Sequence, residues 1–140
     1  VVGCSGVLRP EVFKAFRLGL LNIHPGFLPE FRGRSPVEWA LDEGGEPGVT
    51  LHFIDAGVDT GPIVARATVP VIAGDTTSAL YARADAIGVG LLADALRQAM
   101  DGKPILSCPQ PRPTGPARRS APRRVSERAG KLLAERLKPR

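Results

Sequence analysis

The segment LLNIHPGFLPEFRG, residues 20–33, constrains this chain more than any other. Its apolar start reads as a strand, and the strand stops in a loop fixed by Pro25, Gly26, Pro29 and Gly33. Asn22 and His24 are polar residues two apart in that strand. Side chains at i and i+2 of a strand point to the same side. An amide and an imidazole are therefore expected together on one face at a strand end, an arrangement that suits a site better than a core.

The flanking sequence supplies the elements that would hold such a strand. VVGCSGV (1–7) reads as a buried strand, and residues 9–19 as a short helix with Pro10 in its first turn and Gly19 past its end. Ser35 is placed to cap a helix over 36–44, with Glu38 completing a capping box. GVTLHFID (48–55) alternates, Val49, Leu51 and Phe53 on one side, Thr50, His52 and Ile54 on the other. It is expected to pair as a hairpin with a strand over 63–71. Residues 74–102 repeat at helical spacing through Leu80, Ala84, Ile87, Leu91, Leu92 and Leu96, with Asp75, Thr76 or Thr77 as cap and Gly88 and Gly90 weakening the middle. This order of strands and helices predicts an α/β sandwich rather than a barrel.

Composition changes after Lys103. Residues 103–124 contain six prolines and are expected to be irregular. Residues 126–140 read as a basic amphipathic helix, with Ser126 as cap and Leu132, Leu133 and Leu137 on one stripe, or as a disordered tail. Charge divides at the same place: residues 1–109 hold nine basic and twelve acidic side chains, residues 110–140 ten and two. Any nucleic-acid contact is expected through 110–140, against the plainer reading of a solvated extension. No apolar run approaches the roughly 20 residues of a membrane span, and the opening residues have no basic n-region of a signal peptide. Cys4 and Cys108 form neither a disulfide framework nor a metal pair. These features predict a cytoplasmic protein with no membrane contact.

A second motif, DAGVDTGPI (55–63), sets Asp55 and Asp59 among glycines directly after an apolar strand. Ligands of open α/β folds bind beyond the carboxyl ends of strands, so Asn22, His24 and this turn could meet. An amide donates to a carbonyl oxygen that becomes negative, an imidazole moves a proton near neutral pH, and a nearby carboxylate orients the imidazole. Together they suit acyl transfer to an amine without a protein nucleophile. His52 reads as a structural mid-strand residue, Asp55 as a shaper of the turn, and Phe31 and Trp39 as packing. The histidines and Asp59 lack a zinc spacing, so no metal is expected.

NIHPGFLPEFRG followed by GVTLHFIDAGVDTGPIV resembles the folate-dependent formyltransferases: methionyl-tRNA, sugar-amine and glycinamide ribonucleotide formyltransferases and formyltetrahydrofolate hydrolases. The resemblance covers residues 1–102 and departs from the family at Gly26, where a serine is common. It implies a three-layer, Rossmann-like α/β fold, N-terminally truncated, with a basic C-terminal extension: the C-terminal portion of the catalytic domain over 1–102, a Pro/Arg-rich linker over 103–125 and the helix or tail over 126–140. It implies 10-formyltetrahydrofolate as co-substrate, with Asn22, His24 and Asp59 catalytic through a tetrahedral intermediate. The folate would lie against Val7, Leu8, Ile54, Asp55, Ala56, Gly57, Val58 and Asp59. The amine acceptor would lie against Pro25, Gly26, Phe27, Leu28, Pro29, Arg32 and Gly33. That acceptor is expected to be a small molecule such as a nucleotide-linked amino sugar, with aminoacyl-tRNA as the alternative. The other readings are a non-catalytic, folate-binding or partner-dependent family member, and a formyltetrahydrofolate hydrolase.

Overall fold

The computed structural model describes residues 8–113 and 115–136. The strand expected over 1–7 and the stripe position Leu137 lie outside the described residues. In chain order the elements are α1 (Pro10–Lys14), β1 (Leu21–His24), α2 (Pro36–Asp42), β2 (Gly48–Phe53), β3 (Ile63–Thr68), α3 (Thr77–Met100) and α4 (Arg123–Arg136).

Among the described residues three strands form one sheet in the order β1-β2-β3, each pair antiparallel. The register sets Asn22 opposite His52 and His24 opposite Thr50, with Leu21 opposite Phe53 and Ile23 opposite Leu51. Directly opposed residues share a face, so the sheet has one apolar side and one polar side. Leu21, Ile23, Val49 and Leu51 form the apolar side and join Leu80, Ala84 and Ala95 of α3 in the core. The polar side carries Asn22, His24, Thr50 and His52.

The loop after β1 is seated on that polar side by Thr50. Its hydroxyl donates to the carbonyl of Gly26 at 2.7 Å and accepts the N–H of Leu28 at 3.2 Å. Leu28 is fully buried, and its carbonyl accepts from Arg66 at 3.0 Å.

The predicted long helix forms without interruption and starts from a Thr76 cap, whose side chain accepts the N–H of Ala79. Its two weak positions differ in kind. A Cβ on Gly88 would stand 2.3 Å from Ile23 Cγ2 and 3.2 Å from Val49 Cγ2, so helix and sheet approach closely at Gly88. Gly90 is exposed, with nothing within 4 Å of a Cβ. Gly88→Ala is therefore expected to destabilise by about 1–3 kcal/mol through overpacking, and Gly90→Ala to stabilise by about 0.5–1 kcal/mol. Urea unfolding of both variants checks this, and equal shifts of the two midpoints would contradict it.

Three sequence expectations are corrected. The first helix ends at Lys14, well short of Gly19. The capping box does not form: Ser35 adopts a left-handed conformation with no side-chain cap. Its Oγ instead accepts the N–H of Ala121 at 3.0 Å, and Glu38 accepts the Tyr81 hydroxyl at 2.6 Å. The last helix begins at Arg123, not at Ser126, whose N–H bonds the Pro122 carbonyl within the first turn. Its buried stripe is Val125, Ala129 and Leu133, at i, i+4 and i+8, and Ala129 and Leu133 join Val37 and Leu41 of α2 in the core. No helix among the described residues is long and apolar enough to cross a membrane.

Candidate active site

The polar side of the sheet opens into a cleft of about 770 Å³. β1 supplies Asn22 and His24, β2 supplies His52, and the turn after β2 supplies Asp59. Asp59 is a non-glycine residue at φ 54°, a left-handed conformation that aims its carboxylate back at the sheet. Oδ2 accepts the N–H of Gly33 at 2.8 Å and lies 3.6 Å from His24 Nδ1, and Oδ1 lies 3.7 Å from His52 Nε2. One carboxylate thus stands between two imidazoles, both nearly buried.

Hydrogen bonding fixes which nitrogen does what. His24 Nε2 is 2.7 Å from the Phe31 carbonyl and must donate to it, which leaves Nδ1 facing Asp59. His52 Nδ1 donates to the Phe53 carbonyl at 2.8 Å, so in the neutral ring Nε2 accepts the Asn22 amide N–H at 3.2 Å. His52 thereby orients Asn22.

Burial lowers the His52 pKa from its ordinary value, against the raising effects of the Phe53 carbonyl and the Asp59 charge, while the neighbouring His24 lowers it further. Below about pH 6.5 the unfolded chain takes up a proton that the folded ring resists, so this group's contribution to stability falls as pH falls. Denaturation midpoints at pH 7.5 and 5.5 are expected to drop less for His52→Gln than for the parent chain. An equal drop would remove His52 as the cause.

The structure brings Asn22, His24 and Asp59 together. Leu8, Ile54, Asp55, Gly57 and Val58 line the cleft beside them, whereas Ala56 does not. Asp55 Oδ1 is occupied with the turn itself, accepting from the Gly57 N–H and the Thr60 hydroxyl. Val7 lies outside the described residues. On the expected acceptor side only Pro25 and Gly33 line the cleft. Gly26 is packed so that a Cβ would meet Pro36 Cβ at 2.6 Å, which is why a serine has no room there. Phe27 covers Gly48, and Leu28 is core. Pro29 and Arg32 border a second cavity of about 470 Å³, and the Arg32 guanidinium donates to the carbonyls of Val58 and Gly115. These five residues do not line the cleft.

Besides Ile23 of β1, two groups of lining residues were missed by sequence reasoning. One is His52, which the alternation in GVTLHFID had already set on the side of Thr50 and Ile54. The other is the run Ala117–Ser120 from the proline-rich segment, which crosses the cleft beside Arg34. Arg118 holds this run down. Its main chain bonds the Arg32 carbonyl and the Arg34 N–H, and its guanidinium lies 5.3 Å from the ring centroids of Phe31 and Trp39 and pairs with Glu43. Trp39 Nε1 donates to the Arg119 carbonyl at 3.0 Å. Among the described residues no group of three or more His, Cys, Asp or Glu side chains is placed to hold a metal ion.

Comparison with known proteins gives this geometry a context. The sequence pattern described as formyl transferase matches residues 1–96. A methionyl-tRNA formyltransferase from Aromatoleum aromaticum is 39% identical over 113 residues, which is 79% of this chain and 35% of that protein. Among solved structures, the formyltransferase PseJ from Anoxybacillus kamchatkensis, in complex with UDP-4,6-dideoxy-4-formamido-L-AltNAc and tetrahydrofolate, is 29% identical with a TM-score of 0.71, covering 85% of this chain and 61% of that one. Glycinamide ribonucleotide transformylase 1 from Symbiobacterium toebii is 35% identical with a TM-score of 0.64, covering 78% and 54%. The fold is the α/β, Rossmann-like fold of these enzymes. The chain spans about a third of the length of the curated relatives it matches.

Proposed function

The chain belongs to the formyl transferase family, and from that premise we propose that its cleft serves the transfer of a formyl group from 10-formyltetrahydrofolate to an amine. The observation that carries this reading is the convergence of Asn22, His24 and Asp59 on one cleft. The residues present fit a folate: Leu8, Ile54 and Val58 offer apolar surface, and the turn over 54–59 offers backbone groups. The folate supplies an activated formyl carbonyl, whose oxygen gains negative charge as an amine adds. Asn22, with one amide N–H held by His52, directs the other toward that oxygen. His24 has Nε2 committed to Phe31, so Nδ1 carries the mobile proton, with Asp59 as the acceptor that orients it. Arg34 and Arg119, both exposed at the rim, favour an acceptor that bears phosphate, such as an amino-sugar nucleotide or an aminoacyl-tRNA.

The test supplies 10-formyltetrahydrofolate with an amino-sugar nucleotide or methionyl-tRNA and follows the formylated acceptor. Transfer that depends on Asn22 and His24 is the expected result. Formate release without an acceptor would mark hydrolysis instead, and turnover indifferent to both residues would overturn the site.

A further inference from the structure

The proline-rich segment beyond the family-matched residues is fastened to the two loops that carry Asp59 and Gly33. Cys108 exchanges two backbone hydrogen bonds with Ile63, at 2.7 and 2.8 Å. Two residues on, Gln110 Nε2 donates to the carbonyls of Asp59 at 3.1 Å and Gly61 at 2.6 Å. Both neighbours are carbonyl oxygens, so the amide orientation is fixed: a flipped Gln110 would set oxygen against oxygen. Gln110 Oε1 on the other side is buried and unpartnered among the described residues, so the side chain serves here through its donors. Further along, Arg118 bonds the backbone on either side of Gly33, whose N–H holds the Asp59 carboxylate.

We propose that Gln110 is a positioning residue for Asp59, its amide clamping the Asp59 and Gly61 carbonyls so that the carboxylate stays between His24 and His52. A left-handed conformation is costly for a residue with a Cβ. The clamp holds the turn in it from outside, while Gly33 holds the carboxylate from the cleft side. Sequence separation hides the link, because Gln110 is 51 residues from Asp59. The proposal rests on the role given to Asp59 above, yet it can fail separately from it, because its test needs no turnover.

The chain has two histidines, both in the cleft. Imidazole NMR signals therefore report the site directly. The ionisable groups facing His52 are Asp59 and Asp55 on the turn and His24 on β1. Asp59→Asn removes the nearest negative charge and is expected to lower the His52 titration. Gln110→Met, which keeps length and removes the donors, is expected to reproduce most of that fall. In the Asp59→Asn background Gln110→Met is expected to add nothing. Where Gln110→Met does not fold, Gln110→Asn keeps one amide of shorter reach and is expected to show a smaller fall. Titrations that superimpose on the parent chain's, or shifts from Asp59→Asn and Gln110→Met that simply add, would overturn the proposal. A lowered melting temperature with unchanged titrations would leave Gln110 as packing alone and overturn it equally.

Discussion

Asn22→Ala is expected to lower formyl transfer by about 10²–10³-fold, the loss typical of one donor aimed at a developing oxyanion. The fall should appear in kcat with little change in KM, because the amide's N–H is worth more to a charged oxygen than to a carbonyl. The same substitution also leaves His52 Nε2 without its Asn22 partner in a nearly buried position, so some loss of stability accompanies it. His24→Ala is expected to cost about 10²–10⁴-fold, since it removes the group that moves the proton. Residues that act as one unit are not additive. The double variant should therefore be scarcely slower than His24→Ala. Steady-state rates with a folding control decide the matter, and a loss confined to KM would assign Asn22 to binding instead.

The second large effect is structural and falls at Gly33. Its φ is +97°, and a Cβ there would stand 2.3 Å from the Arg118 carbonyl oxygen and 2.7 Å from the Arg118 nitrogen. These are backbone atoms, so the neighbour cannot swing aside as a side chain would. Gly33→Ala must therefore either distort its own turn or expel the crossing segment. Expulsion forfeits two backbone hydrogen bonds, the Glu43 pair and the stacking of Arg118 on Phe31 and Trp39. A destabilisation of about 2 kcal/mol or more is expected from left-handed strain and overpacking together. The chain's single tryptophan, Trp39, reports the event, since its indole N–H bonds the segment at Arg119. Its emission should shift toward the water-exposed position, and protease cleavage should appear at Arg118 and Arg119. Unchanged emission and melting temperature would show that the backbone yields without releasing the segment.

What could be read from the sequence followed local geometry. Asn22 and His24 announced themselves by strand spacing, and the glycine-flanked turn announced Asp59, because both patterns are set by neighbours in the chain. Val49, Leu51, Leu80 and Ala84 were likewise legible as core, from strand alternation and helical repeat. Helix ends were misread locally, at Lys14 and at Arg123, but the failures that bear on the site are distant contacts. The Ser35 hydroxyl is taken by Ala121, and no local rule foresees a competitor 86 residues away. His52 looked structural in isolation and became part of the site only when the register set it opposite Asn22. The proline count marked residues 103–124 as irregular, two residues into the last helix. It carried no sign that Gln110 and Arg118 would brace the loops of the cleft.

The first turn of the loop after β1 is tied to the sheet through one side-chain oxygen. Thr50 Oγ1 is donor to Gly26 and acceptor for Leu28 at once, which closes a small ring of bonds around the central strand. Gly26 cannot part from Leu28 without giving up at least one of these two bonds to the central strand. Arg66 on the neighbouring strand adds a third tie, to the Leu28 carbonyl, so the loop draws its stiffness from the sheet beneath it.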